Sequence, residues 1–195
     1  MSLVKVSGNA NGTGTLTIAA PNTNSDYTLT LPANSGTLIS TASTFAGTGP
    51  AFSAYLSTAQ TLTGATVTKI QLDTENFDTA SCFNNTGSTV GGIPAYSFLP
   101  NVAGYYQVNL LVGGTAATTI TYAGGLIVKN GTAYTRVLVP GFSAANADSS
   151  NSVVIYMNGT TDYLEFSAQI NGTGTLQVAN TQLRTTASAA LIRSA

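Results

Sequence analysis

Histidine and tryptophan are absent from these 195 residues, cysteine occurs once, and charge is scarce, with Lys+Arg 6 against Asp+Glu 7. Each shortage excludes something. Without His the usual general base near neutral pH is missing, so Ser-His-Asp and Cys-His nucleophilic arrangements cannot be built. Cys82 has no partner for an intrachain disulfide and no neighbour in sequence that would lower its pKa, so it reads as a small buried hydrophobe. The cations Lys5, Lys69, Lys129, Arg136, Arg184 and Arg193 stand singly. Binding nucleic acid or an anionic membrane needs them clustered, and both partners are therefore unexpected. No apolar run reaches bilayer length, and Met1-Ser-Leu-Val-Lys-Val-Ser-Gly8 lacks the apolar core of a signal peptide, which predicts synthesis in the cytoplasm and no membrane insertion.

Charged residues make up 7% of the chain, against about 25% in an ordinary soluble domain. The hydrophobic share is an ordinary 43%, so the polar surface must be Thr, Ser, Asn and Gly. Such a surface is poorly protected against association, which predicts an obligate oligomer.

What is present points to strands. Helical spacing of apolar residues is missing, whereas alternation is clear in Val67-Thr-Lys-Ile-Gln-Leu72, Gly104-Tyr-Tyr-Gln-Val-Asn-Leu110 and Asp162-Tyr-Leu-Glu-Phe-Ser-Ala-Gln-Ile170. Asn-Gly at Asn11, Asn130, Asn158 and Asn171 supplies the positive φ values that tight turns demand. Residues 126–139 form the clearest hairpin, and residues 157–163 hold a second turn. Short strands at this spacing predict a sandwich or jelly roll. Asn-Gly-Thr-Gly-Thr-Leu occurs twice, from Asn11 and from Asn171, but the flanking sequences differ, so a shared turn-then-strand solution explains it better than duplication. The sequons at Asn84, Asn130, Asn158 and Asn171 are read as turn chemistry.

Residues 41–50, small, polar and broken by Gly and Pro, read as a linker. The expected organisation is an arm at 1–49 and a head at 50–195. Residues 15–19 and 27–31 of the arm alternate, but two short strands cannot stand alone in water, so the arm must pack on something else.

Gly12-Thr-Gly-Thr-Leu-Thr-Ile-Ala-Ala-Pro21, Tyr27-Thr-Leu-Thr-Leu-Pro32 and Gly36-Thr-Leu38 resemble a short module of phage tail-fibre and virion-appendage proteins. From Ala51 onward the chain resembles the globular head of the complement recognition subcomponent, a ten-stranded jelly roll shared with the tumour necrosis factor superfamily. The landmarks are Ala51-Phe-Ser-Ala54, Asn76-Phe-Asp78, Phe98-Leu-Pro100, Gly104-Tyr-Tyr106, Val128-Lys-Asn-Gly131, Thr161-Asp-Tyr163 and Ala187-Ser-Ala-Ala-Leu-Ile192. Ala187 stands where the family usually has an aromatic residue, and Thr161 where it has Gly. The resemblance implies an all-β fold, a β-rich arm followed by a ten-stranded jelly-roll head, assembled as a homotrimer.

For chemistry the sequence offers one dense group of carboxylates, Asp73, Glu75 and Asp78. On a strand Asp73 and Glu75 would share a face, and such a pair could hold a hard cation or cleave a glycosidic bond. A solvated turn is the plainer reading, with Phe77 between them a core aromatic. Asp26, Asp148, Asp162 and Glu165 are isolated in sequence and read as solvated, while Tyr105, Tyr106, Tyr163 and Phe166 read as core or subunit-contact residues. No catalytic residue and no cofactor is expected. The expected role is a structural component of a phage particle, a short fibre whose head meets a host-surface glycan or protein and whose arm meets other virion proteins. A capsid decoration or cement protein is the alternative, and a glycan-cleaving appendage a more distant one. Candidate recognition loops are residues 84–92, 113–119 and 142–152, Gly- and Ser-rich segments that tolerate variation.

Overall fold

The computed structural model describes residues 10–15, 17, 22–26, 28, 49–141 and 145–195. The chain divides into two units, Met1–Leu38 and Ile39–Ala195. Most of the alternating patches expected in the arm, and most of the expected linker, lie outside the described residues. The second unit carries the fold.

Its described residues form strands and no helix: β1 (Ala51–Tyr55), β2 (Gln60–Leu62), β3 (Thr68–Lys69), β4 (Thr74–Asp78), β5 (Phe83–Asn84), β6 (Ser97–Phe98), β7 (Gly104–Ala116), β8 (Thr119–Lys129), β9 (Thr132–Pro140), β10 (Asn146–Met157), β11 (Leu164–Thr173), β12 (Leu176–Val178) and β13 (Thr186–Ser194). Ten of these run for three residues or more, and β3, β5 and β6 are two-residue pieces. All pairings are antiparallel and fall into two sheets. In the first, β7 takes β10 along one edge and β13 then β12 along the other; β13 continues to β1 and β4, and β12 to β2. In the second the order runs β9, β8, β11, and the far edge of β11 takes β6, with β5 beyond it, and β3. The two sheets form the jelly-roll sandwich that the alternation predicts.

Alternation explains why these segments are strands. Along the start of β7, Gly104, Tyr106, Val108 and Leu110 turn inward and Tyr105, Gln107 and Asn109 outward, so one face is buried at every second residue. The inner faces meet over a ring cluster: Phe52 stacks on Phe83 at 4.4 Å and on Phe98 at 4.7 Å, and Tyr106 meets Phe98 edge-on. The buried Tyr106 hydroxyl donates to Val102 O at 2.7 Å, which satisfies its polar end. Burial raises its phenol pKa. Cys82 is buried as expected, and burial pushes its thiol pKa up.

The clearest hairpin follows the sequence, and two other Asn-Gly sites differ from it. Lys129 pairs with Thr132 across Asn130 and Gly131, whose φ values are 51° and 76°, and this is the expected hairpin. The turn at Asn158-Gly159 instead joins β10 in one sheet to β11 in the other, an arch between layers. Gly159 is required there, since a Cβ would stand 2.4 Å from Ala103 N. Asn171-Gly172, expected as a tight turn, lies instead within β11 at a register shift, and the repeated hexapeptide turns at Gly174 before β12 begins.

Candidate assembly face

The outward face of the first sheet is unlike an ordinary solvated surface. Pairing registers bring Ser152, Asn109, Ser188, Ser53 and Phe77 into one row across β10, β7, β13, β1 and β4. The next row is Val154, Gln107, Ala190 and Ala51, and the one beyond it Tyr156, Tyr105 and Arg193. No charged side chain stands in the first two rows. Their polar groups bond to one another: Gln107 Nε2 donates to Ser152 Oγ at 2.7 Å, Ser152 Oγ to Asn109 Oδ1 at 2.8 Å, and Asn109 Nδ2 to Ser188 Oγ at 3.5 Å. Asn76 Nδ2 reaches Ser53 Oγ at 3.0 Å.

Large apolar groups frame this network. Tyr105 and Tyr156 meet edge-on at 5.5 Å between centroids and stay 45% and 42% exposed, beside Val154 and Ile192. Phe77, expected in the core, is 49% exposed at the other margin. Ser53 pairs with Phe77 but Ala54 pairs with Glu75, so Asn76 is an extra residue in β4. That bulge leaves Phe77 opposite outward-facing Ser53. Charge is confined to the ends of the face, with Arg193 at one and a pair at the other. There Arg184 lies across Gly113 to contact Asp148 Oδ1, Asn146 Oδ1 and Gly114 O. A Cβ at Gly113 would stand 2.9 Å from Arg184 Cβ, so glycine makes the channel for that side chain.

A second surface lies beside the first. β10 is an outer strand of one sheet and β9 of the other, each with one edge unpaired. They approach each other where Thr135 Oγ1 donates to Asn151 Oδ1 at 3.4 Å. β9 exposes Tyr134 and Leu138. The molecule therefore has an uncharged face and, around the corner from it, an open edge with apolar side chains.

The carboxylates Asp73, Glu75 and Asp78 do not converge. Asp73 accepts from Ser57 N and Ser57 Oγ, both at 2.8 Å, tying the segment after β1 to the start of β4. Asp78 accepts from Ala80 N and Phe83 N and shapes the turn into β5. Glu75 stands on β4 with its pKa raised by partial burial and by the charge of Asp78. Among the described residues no three Asp, Glu, His or Cys side chains gather as metal ligands would.

Three of the four isolated carboxylates prove to be paired across the fold. Glu165 meets Lys69, Asp148 meets Arg184, and Asp162 meets Lys129 at 2.8 Å. Asp162 also receives Asn130 Nδ2 at 2.7 Å and Asn158 N at 3.0 Å. Burial alone would raise its pKa, but these donors and the Lys129 charge together hold it below the ordinary carboxylate value. Asn158 Oδ1 accepts from the N–H groups of Thr160, Thr161 and Asp162. Asn84, Asn130 and Asn158 are thus turn organisers, whereas Asn171 lies in β11; Asn84, 4% exposed, donates to Ser88 O, Ile93 O and Pro94 O.

The expected recognition loops need redrawing. Residues 113–116 end β7 and Thr119 begins β8, leaving 117–118 as the connection, and residues 146–152 belong to β10. Residues 142–144 are outside the described set. Only residues 85–92 lead out as a true loop from β5. Sequence reasoning missed the neutral face itself. The signal was there in the outward positions of residues 105–109 and 186–192, but it becomes a face only once the strand order is known.

No family model matches the chain, and none of the curated proteins does. Solved structures do. Murine APRIL superposes with a TM-score of 0.55 at 10% identity, over 74% of this chain and 99% of that one. The globular domain of zebrafish complement 1qA gives 0.52 at 11% identity, over 75% and 99%. The vertex protein P5 of PRD1 gives 0.52 at 19% identity, over 74% of each chain. At these identities the likeness is one of fold, and the fold is the jelly roll expected from the landmarks.

Proposed function

We propose that the chain is a non-catalytic structural protein of a phage particle, whose head closes into a homotrimer and whose arm, residues 1–49, attaches it to other virion proteins. The observation that carries the assembly part is the neutral face of the first sheet, where half-exposed Tyr105, Tyr156 and Val154 border a polar network without charge. Such a face costs little to desolvate, because its hydroxyls and amides already satisfy one another.

Face and open edge are different surfaces of one molecule. Packing the edge of one copy on the face of the next is a heterologous contact, which ends as a closed ring when the rotation permits. The trimer count comes from the resemblance to complement-type heads. The phage assignment draws on the tail-fibre-like arm motif, and the fold shared with a phage vertex protein supports it. That vertex likeness also favours the second reading, a capsid decoration protein held at the shell instead of a tail. In either case the head would present host-facing loops at its tip, with a surface glycan or protein as their target.

Light scattering on the purified protein should give the mass of a trimer at micromolar concentration, and a monodisperse monomer overturns the assembly reading. Deleting residues 1–49 should leave a soluble trimer of heads that no longer joins particles. Incorporation of that truncated form would make the head the docking element. Gold-labelling of intact particles then separates tail from capsid.

A further inference from the structure

Leu183 is 88% exposed, more than any other large hydrophobic side chain among the described residues. Chain fraying does not account for this. The loop between β12 and β13 is tied down by Thr181 N to Leu56 O at 2.9 Å, Arg184 N and Thr185 N to Thr181 O, Ala179 N to Gly113 O, and Asn180 Nδ2 to Ser57 O. Thr181 adopts a φ of 105°, a conformation that a β-branched residue enters only when its surroundings impose it. A strained loop, tied down on both sides of it, therefore holds one leucine out in solvent.

The place of the loop says what should cover it. Arg184, the next residue, lies flat across Gly113 on the outward face of the first sheet, so Leu183 sits at the margin of the neutral face. The neighbouring charge is matched, Arg184 by Asp148, and so the spot can be buried without stranding an ion. The chain enters the head at the other end: Pro50 O accepts from Leu191 N, and Ala195 N donates to Ala103 O beside Gly104. A strand of β7's length spans about 40 Å at ~3.3 Å per residue, so a partner gathered around the entry point would be far from Leu183.

We infer that Leu183 is an intersubunit anchor, buried in the assembled protein against Leu138 on the open edge of a neighbouring copy. This rests on the ring reading above. In a ring whose axis runs along the strands, contacting residues lie at the same height. Thr135 on β9 touches Asn151 on β10. Three residues from there toward the end away from chain entry lie Leu138 on β9 and Asp148 on β10, and Asp148 is the partner of Arg184. Leu138 is exposed, folded over Gly124 on the outward face of the second sheet. Within one chain the two leucines are on opposite sheets, so any contact between them is between copies.

The test uses introduced cysteines, with which the single native Cys82, buried and with a raised thiol pKa, does not compete. Leu183→Cys combined with Leu138→Cys should give, on mild oxidation, a ladder of covalently linked chains in denaturing gels, while each single variant gives none. A trimeric wild type whose double variant does not cross-link overturns this inference and leaves the assembly reading intact. A monomeric wild type removes both. Leu183→Asp, at a position too exposed to affect folding, should weaken assembly by about 30-fold or more, the effect of losing one strong interface contact. An unchanged dependence of mass on concentration also overturns the anchor.

Discussion

The two sheets of the sandwich turn very different faces outward. On the second sheet, outward-facing Leu126 and Val128 are buried. Around them stand Lys69 paired with Glu165, and Arg136 donating to Gln169 Oε1 at 3.5 Å. Around β11 that face is finished for water, with its apolar groups covered and Lys69 paired, and its exposed apolar groups, Tyr134 and Leu138, lie on the edge strand β9. The outward face of the first sheet has Ser, Asn, Gln and Ala at its centre, with Tyr105, Tyr156, Val154 and Phe77 left half exposed around them. Long charged side chains keep surfaces apart, and short neutral ones let another surface approach. On the proposed assembly, the six cations and seven anions need cover only the part of the molecule that stays in water.

A charge placed on the neutral face should have the largest effect. Asn109→Lys should abolish the trimer. An unpaired buried charge costs about 3–5 kcal/mol at each interface, so the assembly midpoint should rise by at least about 100-fold. Gln169→Glu on the other sheet should leave the mass unchanged in sedimentation. If both variants behave alike, the two faces do not differ in role.

A smaller effect is expected from the second sheet's own pairs. Glu165→Gln leaves Lys69 with its bond to Ala95 O and removes a partly exposed ion pair. Thermal unfolding should show a loss of about 1 kcal/mol or less, with no change in oligomeric state. A larger loss, or dissociation, would mean that the part of this face around β3 and β11, and not only its β9 edge, takes part in assembly.

The smallest effect is the pH dependence. With no His to titrate, melting temperature should be nearly flat between about pH 5 and 8. Asp162 has a folded pKa below its unfolded one. Its contribution is therefore fully present above the unfolded value and is lost as pH falls through the folded value, below about pH 4. Glu75, raised by burial and Asp78, acts in the opposite sense: its contribution is present below the unfolded pKa and lost as pH rises through the folded one. Asp162→Asn should flatten the acid limb in melting curves taken from about pH 2.5 upward. An unchanged limb would assign acid sensitivity to other carboxylates.

Much of the fold is legible in the order of residues alone. Tyr106, Val108 and Leu110 announce their burial by period, and Asn130-Gly131 announces its turn by chemistry. Phe77 does not, because the bulge at Asn76 reverses which way it faces, and a bulge is set by the partner strand. Gly113 and Gly114 look like loop residues, yet they lie in β7. One makes room for Arg184, and the other faces Ala123 and Ile170. The partners of Glu165, Asp148 and Asp162 come from distant parts of the chain, which no local pattern can name.

Composition and a period of two are enough to establish that this protein is built of strands, that Cys82 has no partner for an intrachain disulfide, that His-based catalysis is out of reach, and that its surface is poor in charge. Both are properties of neighbours along the chain. Where the scarce charges meet, which face lacks them, and that Leu183 stands out beside that face all depend on the folded arrangement. Pairing β10, β7, β13 and β1 in that order joins side chains far apart in the chain into one surface, and strand order is set by how the whole core packs.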